Sequence, residues 1–304
     1  MKRNDKLVEL LERIRSVELA THRRVQDLLA GQYRSVFRGR GVELDQIREY
    51  VPGDDVRAID WNVTARMGRP FVKEHIEERQ LTLLLLVDVS ASAEFGSSAR
   101  DKRDRIAELA SALAFSAIET GDRVGLVLFT DRIERFVPPG KGRRHVLRIL
   151  REILTVEPEG TGTDLVEPLE LVRRVQRKRA VVVMVSDFLE SGDREVSLTR
   201  LQHAMRLTNA RHDVIAARVR DPREVELPDV GWLVLEDAET GEEVEIDTSR
   251  REVRERYAAD VRRQSEELTA ALRAARVDAL EVFTDEEVGP ALLSFFRRRG
   301  RGLS

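Results

Sequence analysis

From residue 80 onward the apolar positions alternate between two textures. Short, mostly apolar runs at 81–87, 123–129, 180–185 and 213–219 have strand length. Between them lie longer stretches in which apolar residues recur every three or four positions. Ile106, Leu109, Ala110, Leu113 and Ile118 trace one such stripe and predict a helix over 103–120. The same spacing predicts helices at 142–154, 164–177 and 194–209. Strands without polar alternation, interleaved with helices, imply a mostly parallel sheet covered on both faces, an α/β fold. Only Thr130-Asp131 separates the run at 123–129 from a second strand at 132–137. A turn that short forces an antiparallel hairpin and supplies one antiparallel edge strand. Further on, 232–236 and 244–246 flank Glu239-Thr240-Gly241-Glu242 as a second hairpin. A long charged helix over 250–275, a strand at 280–283 and a short helix carrying Leu292, Leu293, Phe295 and Phe296 complete the chain.

The first 78 residues differ. Leu7, Leu10, Leu11, Ile14, Val17, Leu28 and Leu29 predict an amphipathic helix over 5–30 that must pack on a partner. Glycines, prolines and arginines then dominate 31–78. Pro52-Gly53-Asp54-Asp55 reads as a turn capping a short helix that runs to about Arg66. Residues 71–76 read as a strand or extended arm, and Phe37, Tyr50, Trp61 and Phe71 as apolar anchors. The chain is accordingly divided into an N-terminal module, 1–78, and a sheet domain, 79–304.

Charge and composition narrow the function. Charged residues make up 35% of the chain, but the net charge is −3, which argues against wholesale binding to nucleic acid or anionic membrane. The absence of cysteine excludes disulfides, thiolate metal sites and Cys nucleophiles. Glu9, Glu12 and Arg13 interrupt the apolar core that a signal peptide needs, and no run approaches the ~20 apolar residues of a membrane span. A soluble, cytoplasmic protein is expected. His22, His75, His145, His203 and His212 lack metal-ligand spacing and are read as surface or capping residues. The arginine runs at 34–40 and 297–301 are read as solvated faces.

Chemistry concentrates where strands end. In open α/β sheets, ligands bind beyond the carboxyl ends of the strands. Asp88-x-Ser90-x-Ser92 follows the first apolar run, Gly160-Thr161-Gly162-Thr163-Asp164 precedes a helix, and Ser186-Asp187 closes the run at 180–185. Carboxylates and hydroxyls are the ligands of hard divalent cations, Mg²⁺ above all. Each also has a plainer role. Asp88, Ser90 and Ser92 suit a helix cap, Thr163 or Asp164 suits the N-cap of the helix at 164–177, and Asp187 suits a solvated strand end.

This ordered set resembles the metal-ion-dependent adhesion site of von Willebrand factor A domains. The resemblance covers about residues 80–300 and implies a Rossmann-like sheet with Asp88, Ser90, Ser92, Thr163 and Asp187 as ligands of Mg²⁺, Mn²⁺ or Ca²⁺. Arg48-Glu49-Tyr50-Val51-Pro52-Gly53-Asp54-Asp55-Val56-Arg57-Ala58-Ile59-Asp60-Trp61, followed by Thr64-Ala65-Arg66, resembles the signature of the DUF58 family. That resemblance implies a role beside a MoxR-type AAA+ ATPase, and it spans nearly the whole chain. Ala93 stands where family members often have Met, outside the ligand set.

Mg²⁺ takes six oxygens at about 2.1 Å and dehydrates reluctantly, so two carboxylates and a few hydroxyls leave a position open. In the adhesion domains a partner's Asp or Glu carboxylate fills it. Two ligand carboxylates also leave the cation weakly electrophilic, which suits reversible contact better than Lewis-acid catalysis. The expectation is therefore a non-enzymatic, metal-dependent interaction module, an adaptor or co-chaperone for an unidentified client. The alternative is a Mg²⁺-dependent phosphohydrolase of haloacid dehalogenase type. That chemistry needs a second acid where this chain has Ser90. A P-loop is absent, so ATP hydrolysis would fall to the partner.

Overall fold

The first helix of the described residues, α1 (Arg23–Arg38), continues through Gly31. The computed structural model describes residues 23–38, 46–74, 80–94, 102–190, 193–236 and 243–302; the helix expected before residue 23, His22, Arg40, His75 and the turn at 239–242 lie outside them. Sequence spacing ends this helix near residue 30, and the difference has a packing cause. Leu29, Tyr33 and Val36 share one buried face. The Tyr33 and Phe37 rings lie 4.7 Å apart, and Phe37 meets Phe296 edge-on at 5.8 Å. That contact outweighs the ~1 kcal/mol helix penalty of an interior glycine.

Next, β1 (Gln46–Glu49) and β2 (Phe71–Glu74) pair as an antiparallel ribbon. The one expected helix between them is two pieces. Asp55 caps a 3₁₀ turn, Val56–Ala58, and Asp60 caps α2 (Trp61–Met67) by accepting the N–H groups of Asn62 and Val63. Gly68, at φ 66°, closes α2 in the left-handed region that glycine tolerates. Arg48 grips Asp54 through two hydrogen bonds of 2.6 and 2.7 Å, and the guanidinium holds that carboxyl down at a pKa of about 2. Trp61 is 66% exposed, so it does not anchor this module by burial.

The sheet domain follows as β3 (Thr82–Asp88), α3 (Lys102–Glu119), β4 (Arg123–Phe129), β5 (Ile133–Gly140), α4 (Arg143–Thr155), α5 (Glu167–Val175), β6 (Val181–Ser186), α6 (Arg194–Asn209) and β7 (Asp213–Arg220). After these come the short α7 (Pro222–Val225), the hairpin β8 (Trp232–Glu236) and β9 (Glu243–Asp247), α8 (Arg251–Ala274), β10 (Asp278–Phe283) and α9 (Val288–Gly302). The main sheet has the order β10-β7-β6-β3-β4-β5, parallel except for the β4–β5 pair. Counted along the chain, that is the 3-2-1-4-5-6 order of doubly wound sheets, with the expected antiparallel strand at one edge. This is the von Willebrand A-like, Rossmann-like α/β architecture. The β8–β9 hairpin forms a sheet of its own.

The unbroken apolar run of β3 serves two cores. Leu83, Leu85 and Val87 face the layer of α1, α3, α4 and α9. Leu84 and Leu86 face the layer of α5, α6 and α8. A central strand buried on both sides has no polar face to show, because successive side chains point opposite ways. α1, from the N-terminal 78 residues, packs on α3 and α9 within the first of these cores.

Two expectations of solvated side chains are corrected. His212 is buried rather than at the surface. Arg299 pairs with Asp213 and Asp278 and stacks 5.1 Å from the Phe37 ring centroid, so it fastens α9 to the strand starts instead of fraying into solvent. No helix among the described residues is long and apolar enough to cross a membrane.

Candidate metal centre

The strand order changes direction between β3 and β6, so the topological switch point lies at their carboxyl ends. Their pairing ends at Val87↔Val185, so Asp88 and Ser186 emerge side by side. The Ser186 hydroxyl donates to Asp88 Oδ2 at 2.6 Å, and the Ser90 N–H donates to Asp88 Oδ1 at 2.9 Å. Ser90 Oγ and Ser92 Oγ are 3.1 Å apart. The loop after β3 thus opens as an Asx turn that brings both hydroxyls alongside the carboxylate. The expected helix cap reduces to this one-turn bond, and only a 3₁₀ turn, Ala91–Glu94, follows directly.

Asp187 reaches the same place from β6. Phe188 adopts φ 59°, an uncommon conformation for a bulky residue, and is buried. Its N–H donates to Ser186 Oγ at 2.9 Å, while the Leu189 N–H donates to Asp187 Oδ1 at 3.1 Å. This tight reversal holds the Asp187 carboxylate at the strand end instead of leaving it in solvent. Asp88 and Asp187 are 2% and 5% exposed. Burial first, and the Asp187 charge second, push the Asp88 carboxyl up to about 6, against the hydrogen bonds from Ser186 and Ser90.

Thr163 comes from the β4 side. The Asp164 N–H donates to the Thr130 carbonyl at 2.9 Å, which ties the loop to the carboxyl end of β4, next to β3. Asp164 Oδ1 accepts the N–H groups of Val166 and Glu167 at 2.7 and 3.1 Å. Asp164 thus ties down the lead-in to α5, whose N-cap is Val166 without a side-chain bond. Gly160 makes this close approach possible, since a Cβ there would sit 2.1 Å from Thr130 Oγ1 and Asp131 Oδ1. Glu134 accepts the Gly160 N–H at 2.8 Å and fixes the loop from the other side.

Sequence reasoning overlooked Lys102. Its ammonium is 2.9 Å from Asp187 Oδ2, 2.5 Å from Glu224 Oε1 and 3.3 Å from the Ser92 carbonyl, and its side chain is 1% exposed. Burial acts to lower its pKa, but Asp187 and Glu224 outweigh that and raise it. No spacing in the sequence marks Lys102, because its carboxylate partners lie on distant segments. Arg218 donates to the Asp187 carbonyl at 3.1 Å and to Ser265 Oγ at 2.7 Å, so it braces the turn rather than the carboxylate.

The donor set of Asp88, Ser90, Ser92 and Asp187 consists of hard oxygens and fits Mg²⁺, Mn²⁺ or Ca²⁺ by chemistry. The mutual repulsion of two buried carboxylates supplies a reason to take up a cation. Among the described residues no cluster of three or more His, Cys, Asp and Glu side chains is placed to hold a metal, so the serine hydroxyls would have to complete the shell.

Residues 46–267 match a family described as "Protein of unknown function DUF58". The match begins at β1 and ends inside α8, so it includes the ribbon, α2 and every segment of the candidate centre. The uncharacterized protein Rv1480 of Mycobacterium tuberculosis is 36% identical over 298 residues, 97% of this chain and 91% of that protein. The uncharacterized protein YeaD of Bacillus subtilis is 23% identical over 176 residues, 58% of this chain and 40% of that protein. Among solved structures, the conserved hypothetical protein BatB from Bacteroides thetaiotaomicron aligns over 73% of this chain and 99% of its own, at 14% identity and TM-score 0.47. The SpRpn10 VWA domain aligns over 70% and 94%, at 9% identity and TM-score 0.40.

Proposed function

This chain belongs to the DUF58 family, and we propose that it is a non-enzymatic, divalent-metal-dependent protein-interaction module that works beside a MoxR-type AAA+ ATPase. The observation that carries the reading is the paired carboxylates at the switch point. Asp88 and Asp187 emerge from adjacent central strands, with Ser90 and Ser92 alongside. A hard cation held there by few protein oxygens keeps a position for an outside ligand, and a client's Asp or Glu carboxylate suits it.

Two features favour recognition over catalysis. The residue two places after Asp88 is Ser90, whose hydroxyl is engaged with Ser92 and is no general acid. The cation beside Asp187 is Lys102, held between carboxylates rather than facing an open position. The module's exposed Val51, Val56, Trp61 and Met67 offer an apolar surface for the ATPase. An adaptor or co-chaperone role in assembling or activating protein complexes in the cytoplasm follows.

The test is capture of a MoxR-type AAA+ ATPase from the same organism, with Mg²⁺ or EDTA, by wild type and Asp88→Ala. Binding lost in EDTA and in the variant supports the reading. Binding indifferent to both removes the metal from it.

A further inference from the structure

One charged group of the centre is not a ligand. The Lys102 ammonium lies between Asp187 Oδ2 at 2.9 Å and Glu224 Oε1 at 2.5 Å, with the Ser92 carbonyl at 3.3 Å as a third acceptor. A buried ammonium needs partners on all sides, and these three provide them. Two of them belong to residues assigned above to the metal.

We propose that the Lys102 ammonium is a built-in counter-ion of the centre, which holds Asp187 when no divalent cation is bound and yields it when one binds. The inference rests on the metal reading of Asp88, Ser90, Ser92 and Asp187. An ammonium and a divalent cation repel, so they cannot share Asp187 Oδ2 at contact distance. Displacement does not strand the lysine, because Glu224 remains beside it. Glu224 is itself fixed, since its Oε2 accepts the Asp221 N–H at 3.1 Å in the capping box of α7.

Lysine therefore sets the affinity. Without metal it supports the fold and suppresses repulsion at Asp187. With metal it must shift toward Glu224, and that displacement weakens cation binding. The centre is tuned to release its metal and stays built without it.

The test is Mn²⁺ binding to the full chain, followed by electron paramagnetic resonance of free Mn²⁺, for wild type, Lys102→Met, Glu224→Gln and Asp88→Ala. Lys102→Met is expected to bind Mn²⁺ at least tenfold more tightly than wild type, because no ammonium competes. Glu224→Gln is expected to bind at least threefold more weakly, because the displaced ammonium loses its remaining carboxylate. Equal or weaker binding by Lys102→Met overturns the proposal, as does unchanged or tighter binding by Glu224→Gln. If Lys102→Met does not fold, Glu224→Gln decides alone, since it keeps the Lys102–Asp187 pair. Asp88→Ala separates the two readings. Mn²⁺ binding that survives it overturns the metal assignment itself, whereas binding lost in it with unchanged affinity in Lys102→Met overturns only the counter-ion.

Discussion

Replacing Asp88 with asparagine is expected to stabilise the metal-free protein at neutral pH. The carboxyl is buried next to Asp187, and its pKa rises from 3.8 in the unfolded chain to about 6 in the fold. A raised folded-state value favours the protonated form. The residue's contribution to stability is therefore fullest below pH ~4 and declines as pH rises through about 6. A shift of about two units at 1.36 kcal/mol each puts the penalty of ionised Asp88 near 3 kcal/mol at pH 7.5. The asparagine side chain would carry no charge. Its Oδ1 can still accept the Ser90 N–H, and its amide can donate to the one lone pair that Ser186 Oγ keeps beside the Phe188 N–H. In EDTA, urea unfolding should show Asp88→Asn ahead of wild type by up to about 3 kcal/mol at pH 7.5, shrinking to about 1 kcal/mol at pH 4.5. Mg²⁺ should then stabilise wild type and leave the variant behind. A variant less stable than wild type at pH 7.5, or a gap that ignores pH, would refute the account of this carboxyl.

Phe296→Ala should cost about 3–5 kcal/mol, because it empties the aromatic contact with Tyr33 and Phe37, and limited proteolysis should then cut within α1. Gly160→Ala should destabilise by about 1–3 kcal/mol in thermal unfolding and weaken Mg²⁺ binding, since the new Cβ pushes Thr130 and the Thr163 loop apart. Trp61→Ala should change stability by less than about 0.5 kcal/mol, given its exposure, yet reduce capture of the ATPase; a large fall in melting temperature would show instead that the ring is packed.

The sheet was readable in the chain because β3, β4 and β6 are buried on both faces and must be apolar without interruption. The Asp88 and Asp187 ends were readable for the same reason, since a polar residue closing such a run marks the sheet's edge. Helix α1 was misjudged at Gly31 because Phe296, which rewards its continuation, lies at the far end of the chain. Trp61 was read as an anchor on composition alone, but nothing local tells an aromatic packed on its own domain from one turned to solvent. Lys102 escaped for a related reason. Its partners Asp187 and Glu224 follow it by 85 and 122 positions, and no periodicity connects an ammonium to carboxylates that far along the chain.

The packing of α1 on α9 must wait for the end of synthesis. Tyr33 and Phe37 leave the ribosome early, while Phe296, which completes their cluster, is about 260 residues behind. At roughly 5–20 residues per second, the aromatic face of α1 waits roughly 13–50 s for its partner. During that interval the nascent chain can cover α1 with α3 alone, beside a sheet that is itself still missing its last strand, β10. A chain cut short before α9 would therefore leave Tyr33 and Phe37 without the ring that completes their cluster.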